Sequence, residues 1–164
     1  NGNEPVDEYC RLTGIKKKDY LKDSFKYSLQ NPFGLVTLEG DVYIKEAMPN
    51  PDNKTFHSTL KLQKNYVMNI LKYDEKEHLK TMPNIMNEAS KRGKIALSLF
   101  SICSTRRLLN KSENRMRKDI NNKFGMPFFG LYAFSEIGST STSSAQVHGE
   151  TVTSLILFDK LLVE

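Results

Sequence analysis

The chain has 164 residues, of which 38% are hydrophobic and 26% charged, a composition typical of a globular protein. A chain of this length buries roughly 68–70% of its unfolded surface, so a core without disulfide staples is expected. Its apolar runs fall short of the roughly 20 residues of a membrane helix. The net charge of +5 comes from basic residues interleaved with acids, without a nucleic-acid-binding motif. We therefore expect neither a nucleic-acid partner nor a membrane partner.

The cysteine content and the first residue indicate the setting of the chain. Cys10 and Cys103 lie too far apart in sequence to form a disulfide framework. Reduced thiols are typical of cytoplasmic proteins, and we expect that location. The chain begins with Asn1 rather than methionine, so we expect a fragment of a longer protein that contributes one domain over residues 1–164.

The first half predicts a short helix followed by strands. Pro5 suits a first helical turn and Gly14 suits a stop, which places a helix over residues 5–12. Residues 16–29 show weak helical spacing that ends before Pro32. Further along, strands are expected at residues 35–38, 42–44, 55–62 and 66–71, with a tight turn at 39–41 and a longer turn at 48–54.

The second half predicts two helices. Asp74 and Glu77 form the pattern of a reciprocal capping box, and apolar residues at helical spacing follow as far as Ala89. Pro83 predicts a kink inside this helix, and Gly93 predicts its end. A second helix is expected over residues 112–124, capped by Asn110 or Ser112.

Two dense apolar runs dominate the sequence, at residues 95–102 and 128–134. Short apolar runs bounded by glycine, proline and charge are typical of central strands covered on both faces. Residues 152–158 form a last strand after the polar loop 138–146. The sequence thus predicts an α/β (α+β) fold with a mixed, largely antiparallel sheet and two to three helices packed on it.

Polar side chains follow both apolar runs, at the point where a sheet places ligands. Cys103 and Arg106 follow the first run, and Ser135 and Glu136 follow the second. One interpretation is a structural Arg106–Glu136 pair, because a buried carboxylate needs a partner. The other is that Arg106 binds a ligand carboxylate and Glu136 binds an ammonium group, an arrangement that suits an amino acid.

The last third of the chain resembles the C-terminal half of the FIST sensory domain of intracellular signal-transduction proteins. The stretch Gly130-Leu131-Tyr132-Ala133-Phe134-Ser135-Glu136-Ile137-Gly138 is similar to that family's glycine–aromatic and Gly-Glu-Ile-Gly signature. His148-Gly149-Glu150-Thr151 is similar to the family's His-Asn-x-Thr motif. Cys103 and Arg106 are similar to its Cys-x-x-Arg motif, and Glu113 stands at the acidic position that follows this motif. Two positions depart from the family pattern, since Ser135 replaces a glycine and Gly149 an asparagine.

The resemblance implies a non-catalytic module that senses a small molecule, amino acids being the usual proposal for the family. Its partners would be the N-terminal half of the same sensory domain and a signalling output domain or partner protein. The residues that we predict to bind the ligand follow the strand ends and the family motifs; they are Cys103, Arg106, Tyr132, Ser135, Glu136, His148 and Thr151.

Other functions remain open at the level of sequence. Some family members are associated with haem, and His148 is the candidate ligand for a haem-based gas sensor, although we expect no cofactor. A protein-interaction module without a pocket is a further alternative. An enzyme is the least supported, because Cys103 and His148 are the one conceivable nucleophile–base pair and no orienting group accompanies them.

Overall fold

The computed structural model describes residues 2–36, 40–57, 67–109, 113–125, 127–139 and 146–160, without the side chains of residues 113, 115, 116, 119, 146 and 148. The chain divides into two compact units, Asn1–Tyr73 and Asp74–Glu164. Whether they form one domain, as the sequence predicts, stays a prediction. Among the described residues, no helix combines the length and the apolar character needed to cross a bilayer.

Both units contain helices and strands. The helices are α1 (Pro5–Thr13), α2 (Lys17–Lys22), α3 (Ser24–Gln30), α4 (Glu75–Ser90), α5 (Ser104–Leu109) and α6 (Glu113–Phe124). The strands are β1 (Phe33–Val36), β2 (Val42–Lys45), β3 (Met48–Pro49), β4 (Phe56–His57), β5 (Met68–Ile70), β6 (Ile95–Cys103), β7 (Phe128–Ala133), β8 (Glu136–Gly138), β9 (Gln146–His148) and β10 (Val152–Phe158). The mixed, mainly antiparallel fold class is confirmed, with the strands distributed over several small sheets.

The first unit is built around a cluster of aromatic rings. Tyr9 packs against both Phe33 and Phe56, with ring centroids 5.6 and 5.5 Å away, and Tyr20 packs beside it at 5.1 Å. The Tyr20 hydroxyl donates to the carbonyl of Ala47. These rings bury a large apolar area in a unit of modest size, so they are the main source of its stability.

The predicted elements of this unit are largely found. Helix α1 ends at Gly14, which adopts the left-handed conformation with φ 73°, as the sequence predicts. The weak helical spacing of residues 16–29 corresponds to α2 and α3, which are separated at Asp23. Strands β1 and β2 form the predicted hairpin, in which Val36 pairs with Val42. Residues 37–39 and 58–66, which carry parts of three predicted strands and of the tight turn, lie outside the described residues.

Helix α4 begins with the Asp74 half of the predicted capping box, whereas the Glu77 carboxylate accepts from Lys80, and the helix runs through Pro83. The Asp74 carboxylate accepts hydrogen bonds from the amides of Lys76 and Glu77, at 2.8 and 3.2 Å. The helix ends at Ser90, three residues before the predicted stop at Gly93. Its apolar stripe is buried against the sheet, together with Ile120 of α6. The predicted cap of α6, at Asn110 or Ser112, lies outside the described residues.

The main sheet of the second unit has the order β10-β6-β7. β6 is the central strand, antiparallel to β10 and parallel to β7. The prediction that both apolar runs form central strands covered on both faces is wrong: β6 is central but buried on one face, and β7 is not central. This strand lies at the edge of the sheet, and Phe129 and Leu131 are 61% and 50% exposed. The reason is that the helices cover one face of this sheet, so the alternate side chains of β7 point away from the core.

Three elements of the second unit, namely α5, β8 and β9, were not predicted. Helix α5 begins directly after β6, at Ser104. Strands β8 and β9 pair in an antiparallel arrangement that places Glu136 opposite His148. The two strands lie on either side of the polar loop that the sequence predicts over residues 138–146 and include its two end residues. Within that predicted loop, residues 140–145 lie outside the described residues.

Gly34 provides a test of packing in the first unit. A Cβ atom at Gly34 would lie 2.8 Å from Leu71 Cδ2, which is shorter than a van der Waals contact. We expect Gly34→Ala to lower the free energy of unfolding by about 1–3 kcal/mol, measured by urea unfolding, because Leu71 must move out of its position. Gly34→Ala should lower the free energy of unfolding by a smaller amount when Leu71 is also replaced by alanine.

The matched control for this prediction is Gly130→Ala in β7, where the nearest atom to a new Cβ is 3.4 Å away. This substitution should change the unfolding midpoint much less. Equal losses for the two alanine variants would contradict the steric explanation.

Candidate functional site

The end of β6 carries two buried functional groups. Cys103, the last residue of β6, is fully buried, and its Sγ lies 2.9 Å from Thr105 Oγ1. Arg106 lies one turn into α5 and is only 6% exposed. Because α5 starts at the residue after β6, the thiol and the guanidinium stay close to the same edge of the sheet.

Two further segments bring a carboxyl and a hydroxyl group to this edge. Glu136 begins β8, three residues beyond the end of β7, and is 1% exposed. The Cys103 amide donates to the Thr151 carbonyl at 3.0 Å, and this bond holds the residue that directly precedes β10 beside the end of β6. Thr151 Oγ1 in turn donates to Glu136 Oε2 at 3.0 Å. We call the group formed by Cys103, Arg106, Glu136 and Thr151 the polar cluster.

The charge state of Glu136 is set by opposing effects. Burial raises the pKa of its carboxyl group, and this is the largest influence. The hydrogen bonds from Thr151, the positive charge of Arg106 and a hydrogen bond from Cys103 lower the pKa, but they do not outweigh burial. The protonated form of Glu136 is therefore more accessible than that of an ordinary surface glutamate.

Arg106 connects the polar cluster to α4. Its Nη2 donates to the carbonyl oxygen of His78 at 3.0 Å. Burial, followed by the positive charge of Arg106, lowers the pKa of His78 from 6.5 to about 4. The imidazole is thus neutral at physiological pH, and the guanidinium is the permanent charge at this place.

Two of the remaining predicted site residues, Ser135 and Tyr132, do not join the polar cluster. Ser135 is exposed. Tyr132 is 41% exposed, and Arg107 lies over its ring at 5.5 Å from the centroid. The His148 side chain lies outside the described residues, although its backbone pairs with Glu136. The haem hypothesis, which depends on that side chain, stays a prediction.

The predicted site residues do not include four buried polar residues of this unit, namely His78, Ser98, Thr105 and Glu150. Thr105 lies inside the Cys-x-x-Arg step, and its hydroxyl contacts the Cys103 thiol. His78 lies in the first turn of a helix far away in sequence, so no local pattern connects it with Arg106. Within the described ranges, no group of three or more histidine, cysteine or acidic side chains is arranged to hold a metal ion.

The polar cluster contains one buried oxygen that is left unsatisfied by the described residues. Glu136 Oε1 is buried and has no hydrogen-bond partner among the described residues. A buried oxygen without a partner is energetically unfavourable, typically by about 1–3 kcal/mol. A donor group from a ligand would remove this penalty.

The lowered pKa of His78 predicts a pH dependence of stability. Because the unfolded chain binds this proton more readily, stability is lost as the pH falls from about 6.5 to 4. Over this pH interval, we expect the free energy of unfolding of His78→Gln to fall by about 3 kcal/mol less than that of the original chain, measured by urea unfolding at each pH. The raised pKa of Glu136 makes stability fall as the pH rises. This contribution is the same in the original chain and in His78→Gln, so it cancels in their comparison.

The exposed His57 offers a matched control for this measurement. His57→Gln should follow the curve of the original chain. Superimposable pH profiles of the original chain and His78→Gln would contradict the assignment.

Comparison with known proteins identifies the family. No curated protein and no solved structure gives a significant match to the chain. The family model described as the FIST C domain matches residues 5–139, which include the segments from α1 to β8 and hence Cys103, Arg106 and Glu136. The chain therefore belongs to the FIST C domain family, whose members are sensory domains of signal transduction.

Proposed function

We propose that this sensory domain binds a small amino acid at the polar cluster. The observation that carries the proposal is the buried Glu136 Oε1, which has no hydrogen-bond partner among the described residues although it lies in a cluster with Arg106 and Thr151. Natural proteins leave few buried polar atoms unsatisfied, and such atoms concentrate at functional sites.

The charges of the polar cluster match those of an amino acid. The Arg106 guanidinium supplies the permanent positive charge that a ligand carboxylate requires, and its Nη2 donates to the His78 carbonyl. The ligand's ammonium group donates to Glu136 and favours its ionised form. Binding therefore offsets the desolvation that raises the pKa of Glu136.

Thr151 and Cys103 act as positioning residues in this proposal. Thr151 holds Glu136 Oε2, which leaves Oε1 for the ligand. The Cys103 amide holds Thr151 in place by donating to its carbonyl. Because Arg106 and Glu136 are 6% and 1% exposed, the ligand reaches them when the segments around Glu136 separate, and such a movement is suited to signalling.

We further propose that the domain is cytoplasmic and non-catalytic, and that it passes its signal to an output domain or a partner protein. The membership in a family of sensory domains supports this proposal.

Calorimetric titration with a panel of the common amino acids tests the proposal. We expect at least one amino acid to bind, and both Glu136→Gln and Thr151→Val to weaken that binding at least tenfold. Glu136→Gln removes the charge and keeps the shape, while Thr151→Val removes the hydroxyl donor at nearly constant volume. A tenfold change corresponds to about 1.4 kcal/mol, which is within the range of one charge-assisted hydrogen bond.

Arg92→Gln, at an exposed arginine that follows α4, provides the control and should bind as the original chain does. Circular dichroism before each titration separates loss of binding from loss of folding. The proposal fails if no amino acid in the panel binds, or if the two site variants bind with unchanged affinity.

The outer face of the sheet supports a proposal for the partner. On the face of β10-β6-β7 that carries Leu99, the neighbouring positions Phe129 and Leu155 are 61% and 57% exposed. A hollow of about 780 Å³ lies along these side chains. Large exposed apolar patches mark interaction sites. We propose that the N-terminal half of the sensory domain covers this face.

Hydrogen exchange tests this partner. In a longer chain that carries both halves, we expect the amides of β7 and β10 to exchange at least tenfold more slowly than in the present chain, because the added half excludes water from this face. The amides at the exposed start of α4 serve as the control and should not change. Equal exchange of β7 and β10 in both chains would overturn the proposal.

A further inference from the structure

A second hollow lies on the helix side of the sheet, apart from Cys103, Arg106, Glu136 and Thr151. Its volume is about 190 Å³, and its lining residues are Met82, Ile102, Arg117, Phe128, Phe129, Gly130 and Tyr132. We propose that this hollow binds a small aromatic carboxylate, with the ring between the apolar side chains and the carboxylate on Arg117.

The apolar lining accounts for the ring. Met82 and Ile102 are 1% and 6% exposed, so they form a fixed floor that belongs to the hydrophobic core. Phe128 and Tyr132 lie on the neighbouring strand, and Tyr132 stands beside Ile102 in the parallel register. Aromatic side chains around a shallow hollow favour a flat ring, which they contact in edge-to-face or offset geometry.

Gly130 explains why the hollow exists. It lies in the middle of β7, and its φ is outside the left-handed region that requires glycine. A Cβ atom there would make ordinary contacts, the nearest at 3.4 Å from Ile102 Cδ1. Neither backbone conformation nor packing therefore demands a glycine at a position where glycine weakens a strand. A glycine inside a strand often marks the close approach of a ligand.

The charges at the mouth of the hollow account for the carboxylate. Arg117 is exposed on α6 and lines both this hollow and an adjoining one of about 550 Å³. The adjoining hollow also contains Lys118 and the amide side chains of Asn114, Asn121 and Asn122. Among the described lining residues of the two hollows, none carries a carboxylate. Such a surface attracts an anion and offers it hydrogen-bond donors.

The size of the hollow limits the ligand. Sites for drug-sized molecules measure roughly 300–1,000 Å³, so the smaller apolar hollow accommodates one ring with a short chain. The head group then extends to Arg117 at the boundary of the two hollows. This proposal does not depend on amino-acid binding at the polar cluster, because Arg117, Gly130 and Met82 are not part of that cluster.

Titration with 3-phenylpropionate tests the proposal, with the methyl resonance of Met82 followed by NMR. We expect 3-phenylpropionate to shift this resonance with saturation in the millimolar range or below. The uncharged 3-phenylpropionamide and the cationic phenethylamine should bind at least tenfold more weakly, because they do not complement a guanidinium.

Two variants locate the ligand. Arg117→Gln should weaken 3-phenylpropionate about tenfold to a hundredfold, the usual effect of a charge-assisted contact. Gly130→Val should abolish binding by filling the hollow. The controls are Arg92→Gln, at another exposed arginine, and Ser154→Val, since Ser154 pairs with Phe100 on the side of β6 opposite to Gly130. Both controls should bind as the original chain does.

The proposal is overturned if 3-phenylpropionate leaves the Met82 resonance unchanged, if the amide binds equally well, or if Arg117→Gln and Arg92→Gln have the same effect. If Gly130→Val does not fold, the comparison of the three ligands and of the two arginine variants decides the question. Binding that persists in Arg117→Gln but is lost in Arg106→Lys would assign the ligand to the polar cluster instead.

Discussion

The hydrogen bonding of β6 to strands on both sides is the constraint on which the second unit depends. β7 runs parallel to β6, so the two strands end at the same edge of the sheet. β10 runs antiparallel, so its first residues lie at that same edge. Three segments that are distant in sequence therefore meet where β6 ends. The hydrogen bond from the Cys103 amide to the Thr151 carbonyl extends this arrangement one residue beyond β10.

The energetics of that edge differ from those of the rest of the unit. Apolar side chains of α4 and α6 fill the space on one face of the sheet and supply the hydrophobic stabilisation. At the edge, the same burial removes Arg106 and Glu136 from water, which costs several kcal/mol for each charge unless partners offset it. The His78 carbonyl and the Thr151 hydroxyl provide part of that compensation.

The sequence predicted the elements that have strong local signals. Asp74 caps α4 because its carboxylate reaches two free amides, and Gly14 ends α1 because it adopts a left-handed conformation. The edge position of β7 was not predictable in this way. A continuous apolar run such as residues 128–134 is typical of a covered strand, and the sequence does not show that the helices cover only one face.

Short elements escaped prediction for a different reason. α5 has six residues and β8 has three, so neither is long enough for a helical or strand period to be recognised. Their tertiary setting determines them: α5 follows a buried strand directly, and β8 is held by β9. Cys103, Arg106 and Glu136 were nevertheless found from the sequence, because they follow the apolar runs. Their close packing with Thr151 depends on the strand register, which no local pattern encodes.

Burial, more than the permanent charge of Arg106, determines how the neighbouring groups ionise. The Arg106 guanidinium stays protonated in proteins, whereas burial shifts both neighbours toward their neutral forms, the carboxyl of Glu136 by raising its pKa and the imidazole of His78 by lowering its pKa. With Glu136 protonated, the polar cluster keeps one positive charge and is balanced by a simple carboxylate. With Glu136 ionised, the cluster is neutral and is matched by a zwitterion. In the proposed function, the raised pKa of Glu136 would make the ligand part of the charge balance, because an ammonium group favours the ionised carboxylate.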